Sequence, residues 1–404
     1  MNGFPPGQAV VLFSTADWFW PYWTNKQHIA ARLAVRGFRV LFVESMGFRR
    51  PGLNSIDIAR IWRRVQRAAR PITEVQKNVW VLPPLTIPGA HQLLPVARIN
   101  AWELQRRIAA WLRSIGAERA IVWTYHPYMQ RVAMALDPTA LVYHCVDDLG
   151  AMPGIDGATF QCAERQLLAR CDQVFVTSPA LRDRCAAIAP ARTDYFGNVA
   201  DIDHFATARA PGPVPADLSA VPRPRLGYIG VLSDFKVDLE LIEHAAARRA
   251  DWHFVFIGDE REGQRNETIA RLRERSNVHL LGWKPYAQLP GYLRGIDVAL
   301  LPQRINDYTR AMFPMKYFEY LAAGRPVVAT RLPALAEFIA LHREADTPDA
   351  FVAEIANALA APSAAPVDDP VLTSHTWEVR LDAMLARIAT SRTTSAASAA
   401  PGTG

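Results

Sequence analysis

Short runs of consecutive apolar residues alternate with helix-like stretches along most of this chain. Near the start, the apolar runs Ala9–Phe13 and Phe38–Val43 enclose a helical pattern over Thr24–Gly37. The same alternation begins again at Arg225–Ile229 and continues through the second half. Buried parallel strands connected by helices produce this pattern. The sequence therefore predicts an α/β fold made of two doubly wound, Rossmann-like domains.

Further strands and helices are predicted from the same two periodicities. The remaining apolar runs predict strands at Val79–Leu82, Ala120–Trp123, Leu141–Val146, Trp252–Ile257, Val278–Leu281, Ile296–Leu301 and Pro326–Ala329. The longer amphipathic stretches predict helices at Pro95–Ser114, Asp238–Arg249 and Ser374–Ile388.

Shifts in composition mark the domain boundaries. We predict an N-terminal domain at residues 1–205, a Pro- and Ala-rich extended linker at 206–224 and a C-terminal domain at 225–373. A final helix is predicted at 374–390. The tail at 391–404 is rich in Ser, Ala and Thr, and we expect it to be disordered.

Composition places the chain among globular proteins. It has 404 residues, of which 50% are hydrophobic and 21% are charged, so it can bury large cores. We expect a cytoplasmic protein, because no window approaches about 18 uninterrupted apolar residues and the start lacks a basic signal region. The cysteines Cys145, Cys162, Cys171 and Cys185 show no C-x-x-C spacing, which indicates reduced thiols.

Positive charge is concentrated in one segment of this chain, whose net charge is +6. Residues 49–70 contain seven Arg and one Asp, and Ile58, Ile61, Trp62 and Val65 form an apolar stripe. Such a basic amphipathic helix either lies on an anionic membrane surface or presents a solvated face above a core. We predict no nucleic-acid partner, because no helix-turn-helix or RNP-type aromatic motif is present.

The most informative stretch is Arg310–Arg331. Pro314 and Gly324 are helix start and stop signals, and an apolar run suited to a buried strand follows them. Lys316 and Glu319 lie three residues apart, so their side chains are neighbours on the helix. From charge pattern alone, they form either an ordinary surface ion pair or part of a site.

The run FPMKYFEYLAAGRPVVAT in this stretch resembles the donor-binding segment of retaining GT-B glycosyltransferases of family 4, the glycosyl transferases group 1 type. The resemblance implies a GT-B fold, in which two Rossmann-like domains face each other across a cleft. It also implies that Glu319 binds the ribose of a nucleotide-sugar donor, in a site that includes Pro314 and Lys316. The turn at Gly282 and Trp283 resembles the family's turn whose backbone lies along the nucleobase.

One residue of that family pattern is replaced in this chain. Members usually carry a second Glu, eight positions upstream, that contacts the transferred sugar, and Ala311 occupies that position here. Asp307 and Arg310 are the nearby polar residues that could substitute for it.

A phosphate-binding loop is predicted after the strand that ends at residue 229. A glycine turn before a helix N-terminus favours anions, and Lys236 adds a point charge for a diphosphate. The alternative is an ordinary exposed Lys ahead of a helix. In the family this loop reads G-R-x-x-x-x-K, so Gly230 and Lys236 match and Val231 replaces the Arg. Arg304 and Arg310 bracket a later loop and are candidates to share the charge.

Acceptor-side residues are predicted at strand ends in the first half. Five aromatics lie within seven residues after the first strand, and we assign Asp17, Trp18, Trp20 and Trp23 to the acceptor side. An aromatic cluster packed over the core is the alternative. His126 follows a strand, where it is either a structural residue or, by resemblance, the family's sugar-contacting and catalytic histidine.

No metal site is predicted. Asp147 and Asp148 are adjacent, so their side chains diverge, and they are expected to cap a helix or meet a basic group. Asp201 and Asp203 form a D-x-D pattern, but they lie in a run that resembles the end of the GT-B N-terminal domain.

The combined prediction is a metal-independent, retaining glycosyltransferase without a cofactor. It moves a sugar from a nucleotide-sugar donor to a cell-surface polysaccharide or a lipid-linked glycan, and its catalytic residues are His126, Lys236 and Glu319. A peripheral position at the inner face of the cell membrane follows if the basic helix binds lipid. The alternatives are a catalytically silent GT-B partner, or nucleotide-sugar-binding protein, and a GT-B-fold sugar-nucleotide epimerase.

Overall fold

The computed structural model describes residues 3–46, 71–84, 94–261, 264 and 266–399. The predicted basic helix at 49–70 lies outside these residues. The chain forms two compact units. The first comprises Met1–Phe196 with Arg380–Gly404, and the second comprises Gly197–Val379.

The first unit contains a mostly parallel sheet of eight strands among the described residues. They are β1 (Ala9–Phe13), β2 (Arg39–Val43), β3 (Thr73–Gln76), β4 (Val79–Leu82), β5 (Ile121–Thr124), β6 (Ala140–Cys145), β7 (Gln173–Val176) and β8 (Thr193–Tyr195). The strand order is β3-β4-β2-β1-β5-β6-β7-β8, and β3 pairs antiparallel with β4. Strand β1 is buried along its whole length, as expected for five consecutive apolar residues covered on both faces.

Helices connect these strands and cover the sheet. The described helices of this unit before residue 196 are α1 (Asn25–Val35), α2 (Leu94–Ser114), α3 (Gln130–Ala135), α4 (Gly157–Leu168) and α5 (Pro179–Ala186). Strand β3 was not predicted, because its residues are mostly exposed and carry no apolar run.

The second unit contains a fully parallel sheet of six strands in its described part. They are β9 (Arg225–Ile229), β10 (His253–Ile257), β11 (Val278–Leu280), β12 (Val298–Leu301), β13 (Val327–Thr330) and β14 (Arg343–Ala345). The strand order β11-β10-β9-β12-β13-β14 is that of a doubly wound sheet. The chain adds strands on one side of β9 up to β11 and then crosses to the other side with β12, so the switch point lies between β9 and β12. Ligands of such sheets bind beyond the carboxyl ends of the strands at this switch point.

The helices of the second unit follow its strands. The described ones are α6 (Ile202–Ala206), α7 (Ala216–Ser219), α8 (Leu239–Arg248), α9 (Glu267–Arg273), α10 (Leu289–Gly295), α11 (Asp307–Arg310), α12 (Lys316–Ala322), α13 (Pro348–Ala360) and α14 (Pro370–Ser374). A last helix, α15 (Trp377–Ala399), begins in this unit and belongs to the first unit from Arg380 onward. Among the described residues, no helix has both the length and the hydrophobicity that crossing a bilayer requires.

The segment predicted as an extended linker is packed in the structure. Residues 206–224 contain α7 and belong to the second unit, where Leu218 and Val221 are buried in the core. The many Pro and Ala residues of this segment led to the prediction of an extended linker. The segment packs instead because its apolar side chains Leu218 and Val221 are buried in the core of the second unit.

The C-terminal segment also differs from its prediction. Helix α15 continues to Ala399, so residues 391–399 are helical rather than disordered. Alanine has the highest helix propensity, and extending an existing helix costs no new nucleation. In the first unit, the buried Arg380 of this helix donates hydrogen bonds to Asn25 (2.8 Å) and to His144 (3.0 Å). Burial lowers the pKa of Arg380 to about 10.

Candidate donor site at the switch point of the second sheet

Strands β9 and β12 separate near their carboxyl ends, at the switch point. Their pairing consists of Val298 with Leu226 and Ala299 with Gly227, and it stops before the end of β9. The N–H of Ile229 donates instead to the hydroxyl of Tyr320 on helix α12, at 2.8 Å. The helix that carries Glu319 is thereby fixed to the end of β9.

The loops that follow β9 and β12 are bonded to each other. The N–H of Asp238 donates to the carbonyl of Pro302 (2.8 Å), and the N–H of Arg304 donates to the carbonyl of Lys236 (2.8 Å). The side-chain amide of Asn306 donates to the carbonyl of Phe235 at 2.7 Å. Two loops that are about 70 residues apart in sequence therefore form one wall of the crevice.

Lys236 lies on this wall between aromatic rings. Its ammonium is 4.6 Å from the ring centroid of Tyr308 and 5.5 Å from that of Phe235. Cation–π attraction restricts a lysine that would otherwise sample many rotamers. The half-buried Lys236 is thus not the fully exposed lysine of the alternative interpretation.

The N-terminus of α8 is capped by the chain itself. The carboxylate of Asp238 accepts the N–H of Leu241 at 3.0 Å, and Glu240 in the first turn forms an ion pair with Arg304. The sequence predicts an anion site at this helix end, where the carboxylate of Asp238 already accepts one of the N–H groups. Arg304 is paired with Glu240. Lys236 is therefore the residue that we expect to supply positive charge in the predicted phosphate loop.

Helix α12 buries the predicted ribose-binding carboxylate. Glu319 is only 4% exposed, and its carboxylate lies 2.8 Å from the ammonium of Lys316, which is half-buried. Burial raises the pKa of the Glu319 carboxyl, and the positive charge of Lys316 opposes this shift. The surface ion pair of the alternative interpretation is wrong, because the rest of the helix is also buried on all sides.

The residues before α12 are placed differently from one another. Pro314 is buried and precedes the helix cap Met315, so it lies just outside the first turn where the sequence placed it. Ala311 is buried, whereas Asp307 and Arg310 are exposed on α11. Within the described part of the chain, the Glu319 carboxylate contacts Lys316, and neither Asp307 nor Arg310 forms a hydrogen bond or an ion pair with it.

Three glycines bring the ends of β9, β10 and β11 together. The N–H of Gly230 donates to the carbonyl of Ile257, and that of Gly258 donates to the carbonyl of Gly282, both at 2.9 Å. Gly258 has a φ of +142°, and a Cβ there would lie 2.1 Å from the carbonyl oxygen of Gly230. Beside this turn, Trp283 is 39% exposed. The exposed indole of Trp283 offers an aromatic face for stacking beside this turn, and the predicted nucleobase contact stays a prediction.

The second unit is similar to a known protein family. Residues 223–361 match the family model described as Glycosyl transferases group 1. The matched residues lie within the second unit. The predicted donor residues Gly230, Lys236, Gly282, Arg304 and Glu319 all lie within the matched range.

Two curated relatives match parts of the chain. The "Putative teichuronic acid biosynthesis glycosyltransferase TuaH" of Bacillus subtilis is 27% identical over 257 residues, which are 59% of this chain. An "Uncharacterized glycosyltransferase" of Methanocaldococcus jannaschii is 28% identical over 94 residues, or 23% of this chain. The matched part spans 64% of the length of the Bacillus protein and 25% of that of the archaeal protein.

Solved structures resemble the chain over nearly its full length. Sucrose-phosphate synthase from Thermosynechococcus elongatus has a TM-score of 0.70 and 17% identity, covering 96% of this chain and 100% of that one. Anabaena HepE in complex with UDP-glucose has a TM-score of 0.58 and 14% identity, covering 96% and 98%. These likenesses confirm the predicted GT-B fold class with two Rossmann-like sheets.

Sequence reasoning missed the residues that brace the predicted phosphate-binding loop. The side chain of Gln264 donates to the carbonyl of Leu232 (2.8 Å) and accepts the N–H of Asp234 (2.9 Å). Arg261 forms an ion pair with Asp234 at 2.9 Å. No local pattern could reveal these contacts, because they join the loop after β9 to residues about 30 positions later.

In the first unit, the aromatic loop after β1 is only partly available to a ligand. Trp18 is 5% exposed, its N–H donates to the carboxylate of Glu44 at 3.0 Å, and its ring packs on Phe42. The prediction that Trp18 faces an acceptor is therefore wrong, because the core provides a larger apolar contact. Trp20 and Trp23 are exposed, and their assignment to the acceptor side stays a prediction.

His126 lies at the carboxyl end of β5, beside β1. Its N–H donates to the hydroxyl of Thr124 at 3.0 Å, and the residue precedes a short turn over Pro127–Met129. The side chain is buried within the first unit. A catalytic role stays a prediction, and it requires the ring to become accessible.

The paired aspartates have structural partners. Asp148 forms an ion pair with Arg184 at 2.7 Å, and the carboxylate of Asp201 caps α6 by accepting the N–H of His204. In the described part of the chain, no group of three or more His, Cys, Asp or Glu side chains is arranged to hold a metal ion. The cysteines are free thiols.

Proposed function

We propose that this protein is a glycosyltransferase that moves a sugar from a nucleotide-sugar donor to a polysaccharide or lipid-linked glycan. The observation that carries the proposal is the switch-point site of the group 1 domain, where Lys236 lies on one wall and the buried Glu319 on the fixed helix α12. The Bacillus relative, named for teichuronic acid biosynthesis, supports a cell-surface polysaccharide as the class of product.

A uridine nucleotide is the donor class that the structural neighbours favour. HepE was crystallised with UDP-glucose, and a trehalose-6-phosphate protein from E. coli with UDP-2-fluoro glucose. In this chain, the glycine turn and Trp283 would hold the base, and the Glu319 carboxylate would accept hydrogen bonds from the ribose hydroxyls.

The proposed reaction breaks the bond between the anomeric carbon and the diphosphate oxygen. The diphosphate leaves with the electron pair, and the acceptor hydroxyl gives its proton to the departing diphosphate oxygen as the acceptor oxygen bonds to the anomeric carbon. Negative charge therefore builds up on the leaving group, where the ammonium of Lys236 can stabilise it without a metal. Retention of the anomeric configuration is part of the proposal and rests on the family resemblance.

The acceptor side of the proposal uses residues of the first unit. Asp17 and the exposed Trp23 offer a carboxylate and an indole face, a combination that suits sugar hydroxyls and sugar C–H groups. His126 is proposed as the residue that contacts the sugar. A peripheral position at the inner face of the cell membrane would bring a lipid-linked acceptor to these residues.

A panel of nucleotide sugars tests the proposed function directly. We expect release of a nucleoside diphosphate from at least one donor when glycan acceptors are present. Binding without turnover of any donor would favour a nucleotide-sugar-binding partner instead, a role suggested by Val231, Ala311 and the pairing of Arg304 with Glu240. Conversion of the donor into another nucleotide sugar without an acceptor would favour an epimerase.

The role of Glu319 gives a specific prediction. Glu319→Gln should weaken nucleotide binding by about 1.5 kcal/mol, roughly tenfold, because a ribose diol bonds more strongly to a carboxylate than to an amide. Isothermal calorimetry with UDP, GDP and ADP measures this. Glu354→Gln is the matched control, because Glu354 lies on helix α13 and also forms an ion pair, with Arg343 at 3.1 Å. This control should bind nucleotide like the wild type. Unchanged affinity in folded Glu319→Gln would remove Glu319 from the site.

The basic segment gives a prediction that rests on sequence alone. Replacing Arg60, Arg63, Arg64 and Arg67 together with Gln should reduce binding to anionic vesicles, because each basic residue contributes about 1 kcal/mol near such a surface. Sedimentation with vesicles at low and high salt measures the effect. Equal sedimentation of the wild type and the quadruple variant would mean that these residues form a solvated face.

A further inference from the structure

A buried hydroxyl in the predicted phosphate-binding loop makes no hydrogen bond within the described chain. Ser233 lies between β9 and α8 and is only 3% exposed. Its hydroxyl oxygen is buried, and none of the described residues bonds to it. Buried polar groups are almost always hydrogen-bonded, because an unsatisfied one gives up its bonds to water without replacement. The exception at Ser233 therefore points to a partner other than the chain itself.

The backbone of Ser233 is already engaged on both sides. Its carbonyl accepts the N–H groups of Lys236 (2.9 Å) and Val237 (2.7 Å), which closes a tight turn. Its own N–H donates to the carbonyl of Val231 at 2.9 Å. The hydroxyl is therefore the part of Ser233 that remains for a ligand.

Two backbone N–H groups of the same loop are also available. Within the described part of the chain, the N–H groups of Val231 and Phe235 donate to no acceptor. Phe235 is two positions after Ser233, and in turns that begin with Ser the N–H at that position lies beside the Ser hydroxyl. The loop thus presents two amides and one hydroxyl that can donate hydrogen bonds.

Two arginines beside the loop add further donors. Arg261 forms an ion pair with Asp234, and the N–H of Arg304 donates to the carbonyl of Lys236. The Nε–H group of each arginine is buried and has no acceptor among the described residues. The groups that lack a partner around this loop can therefore all donate. A ligand that matches them must offer several acceptor oxygens, which is the chemistry of a phosphate group.

We propose that Ser233 donates a hydrogen bond to the diphosphate of the nucleotide-sugar donor, together with the N–H groups of Val231 and Phe235. This inference rests on the proposed function, because it adds residues to the same donor site. The Arg that the family carries at position 231 would bring a positive charge, whereas these groups bring neutral donors to the oxygens of the leaving group. Lys236 supplies the charge, and the hydroxyl and the amides fix the direction of the phosphate oxygens.

The hydroxyl of Ser233 can reach a ligand although it is buried. Rotation about the Cα–Cβ bond moves it among three staggered positions. The next residues of the turn, Asp234, Phe235 and Lys236, are half-buried, so the turn reaches the surface directly after Ser233. A diphosphate that meets this edge of the turn can therefore bond to Ser233 after a rotation of its side chain, with the turn itself unchanged.

Nucleotide binding by Ser233→Ala tests the proposal. Calorimetry with UDP, GDP and ADP first identifies the nucleotide that the wild type binds most tightly. Ser233→Ala should bind that nucleotide about tenfold more weakly, because a hydrogen bond to a charged group is lost. Its affinity for the corresponding nucleoside, measured by ligand-observed NMR, should stay within about twofold of the wild type, because the nucleoside carries no phosphate.

Unfolding in urea separates a ligand-binding hydroxyl from a structural one. Ser233→Ala should not lower the urea midpoint, because the hydroxyl makes no hydrogen bond that stabilises the fold. Ser178→Ala is the matched control, since Ser178 is also buried but its hydroxyl accepts the N–H of Leu181 at the start of α5, at 3.3 Å. That variant should lower the urea midpoint and bind nucleotide like the wild type.

Three results would overturn the proposal. Unchanged nucleotide affinity in Ser233→Ala, beside normal binding by the wild type, would remove Ser233 alone from the donor site. Equal losses of nucleotide and nucleoside affinity, or a lowered urea midpoint, would assign the hydroxyl to the fold, with a bound water as its partner. Failure of the wild type to bind any of the three nucleotides would reject the donor site itself, and the proposed function with it.

Discussion

Replacing Lys236 with alanine is expected to lower turnover by about a hundredfold to a thousandfold, or roughly 3–4 kcal/mol of transition-state stabilisation. The reason is that the family's usual Arg is Val231 here, and Arg304 is already paired with Glu240. Because the Arg is missing, stabilisation of the diphosphate should depend more strongly on the ammonium of Lys236. Release of nucleoside diphosphate under single-turnover conditions measures the effect.

The controls for Lys236 separate its role from general charge effects. Arg248→Ala removes a positive charge from the exposed, opposite end of α8 and should leave turnover unchanged. If Arg304 or Arg310 leaves its present surroundings to share the phosphate, the loss in Lys236→Ala should be smaller and the double variants non-additive. Turnover within about twofold of the wild type, with both Arg residues also dispensable, would show that the diphosphate binds elsewhere.

Replacing Gly258 with alanine should destabilise the second unit by roughly 3–5 kcal/mol and abolish nucleotide binding. The added methyl group would lie 2.1 Å from the carbonyl oxygen of Gly230, so the backbone of the phosphate loop must move. Urea unfolding followed by circular dichroism measures the stability, and calorimetry with UDP measures the binding.

The chain offers a control for the backbone conformation of Gly258. Gly37 has a φ of +85°, and a Cβ there would meet no atom within 4 Å. Gly37→Ala should therefore cost only about 1–2 kcal/mol, the penalty for an L-residue at positive φ. The difference between the two variants isolates the close approach of the two loops. Equal losses of stability would mean that no such contact exists in solution.

The pattern of hydrophobic residues was enough to predict ten of the fourteen strands in the described part of the two sheets. Ala9–Phe13 and Val79–Leu82 were predicted with the bounds that the structure has, because each is a continuous apolar run that both faces of a parallel sheet bury. The edge strand Thr73–Gln76 has no such run, and hydrogen bonds to its neighbour define it instead. The family motif likewise placed Glu319 on a helix before a buried strand.

The electrostatic surroundings of the predicted site could not be read from the sequence. Glu319 and Lys316 have the spacing of a surface ion pair, and only the packing of α12 shows that the carboxylate is buried. Arg304 has the residue type of a phosphate ligand, yet Glu240 engages it across two loops. Such contacts depend on which loops the sheet order brings together, and the sequence does not encode that order in any local pattern.

Local sequence by itself thus determined the α/β class and most of the strand positions, and it supplied the candidate residues of the donor site. Tertiary structure decided which of those residues are buried, paired or exposed: Trp18 became a core residue, while Phe19 beside it remained in water. The physical reason is that periodicity records only which face of an element is apolar. Burial and charge pairing arise from distant segments that meet when the sheet closes.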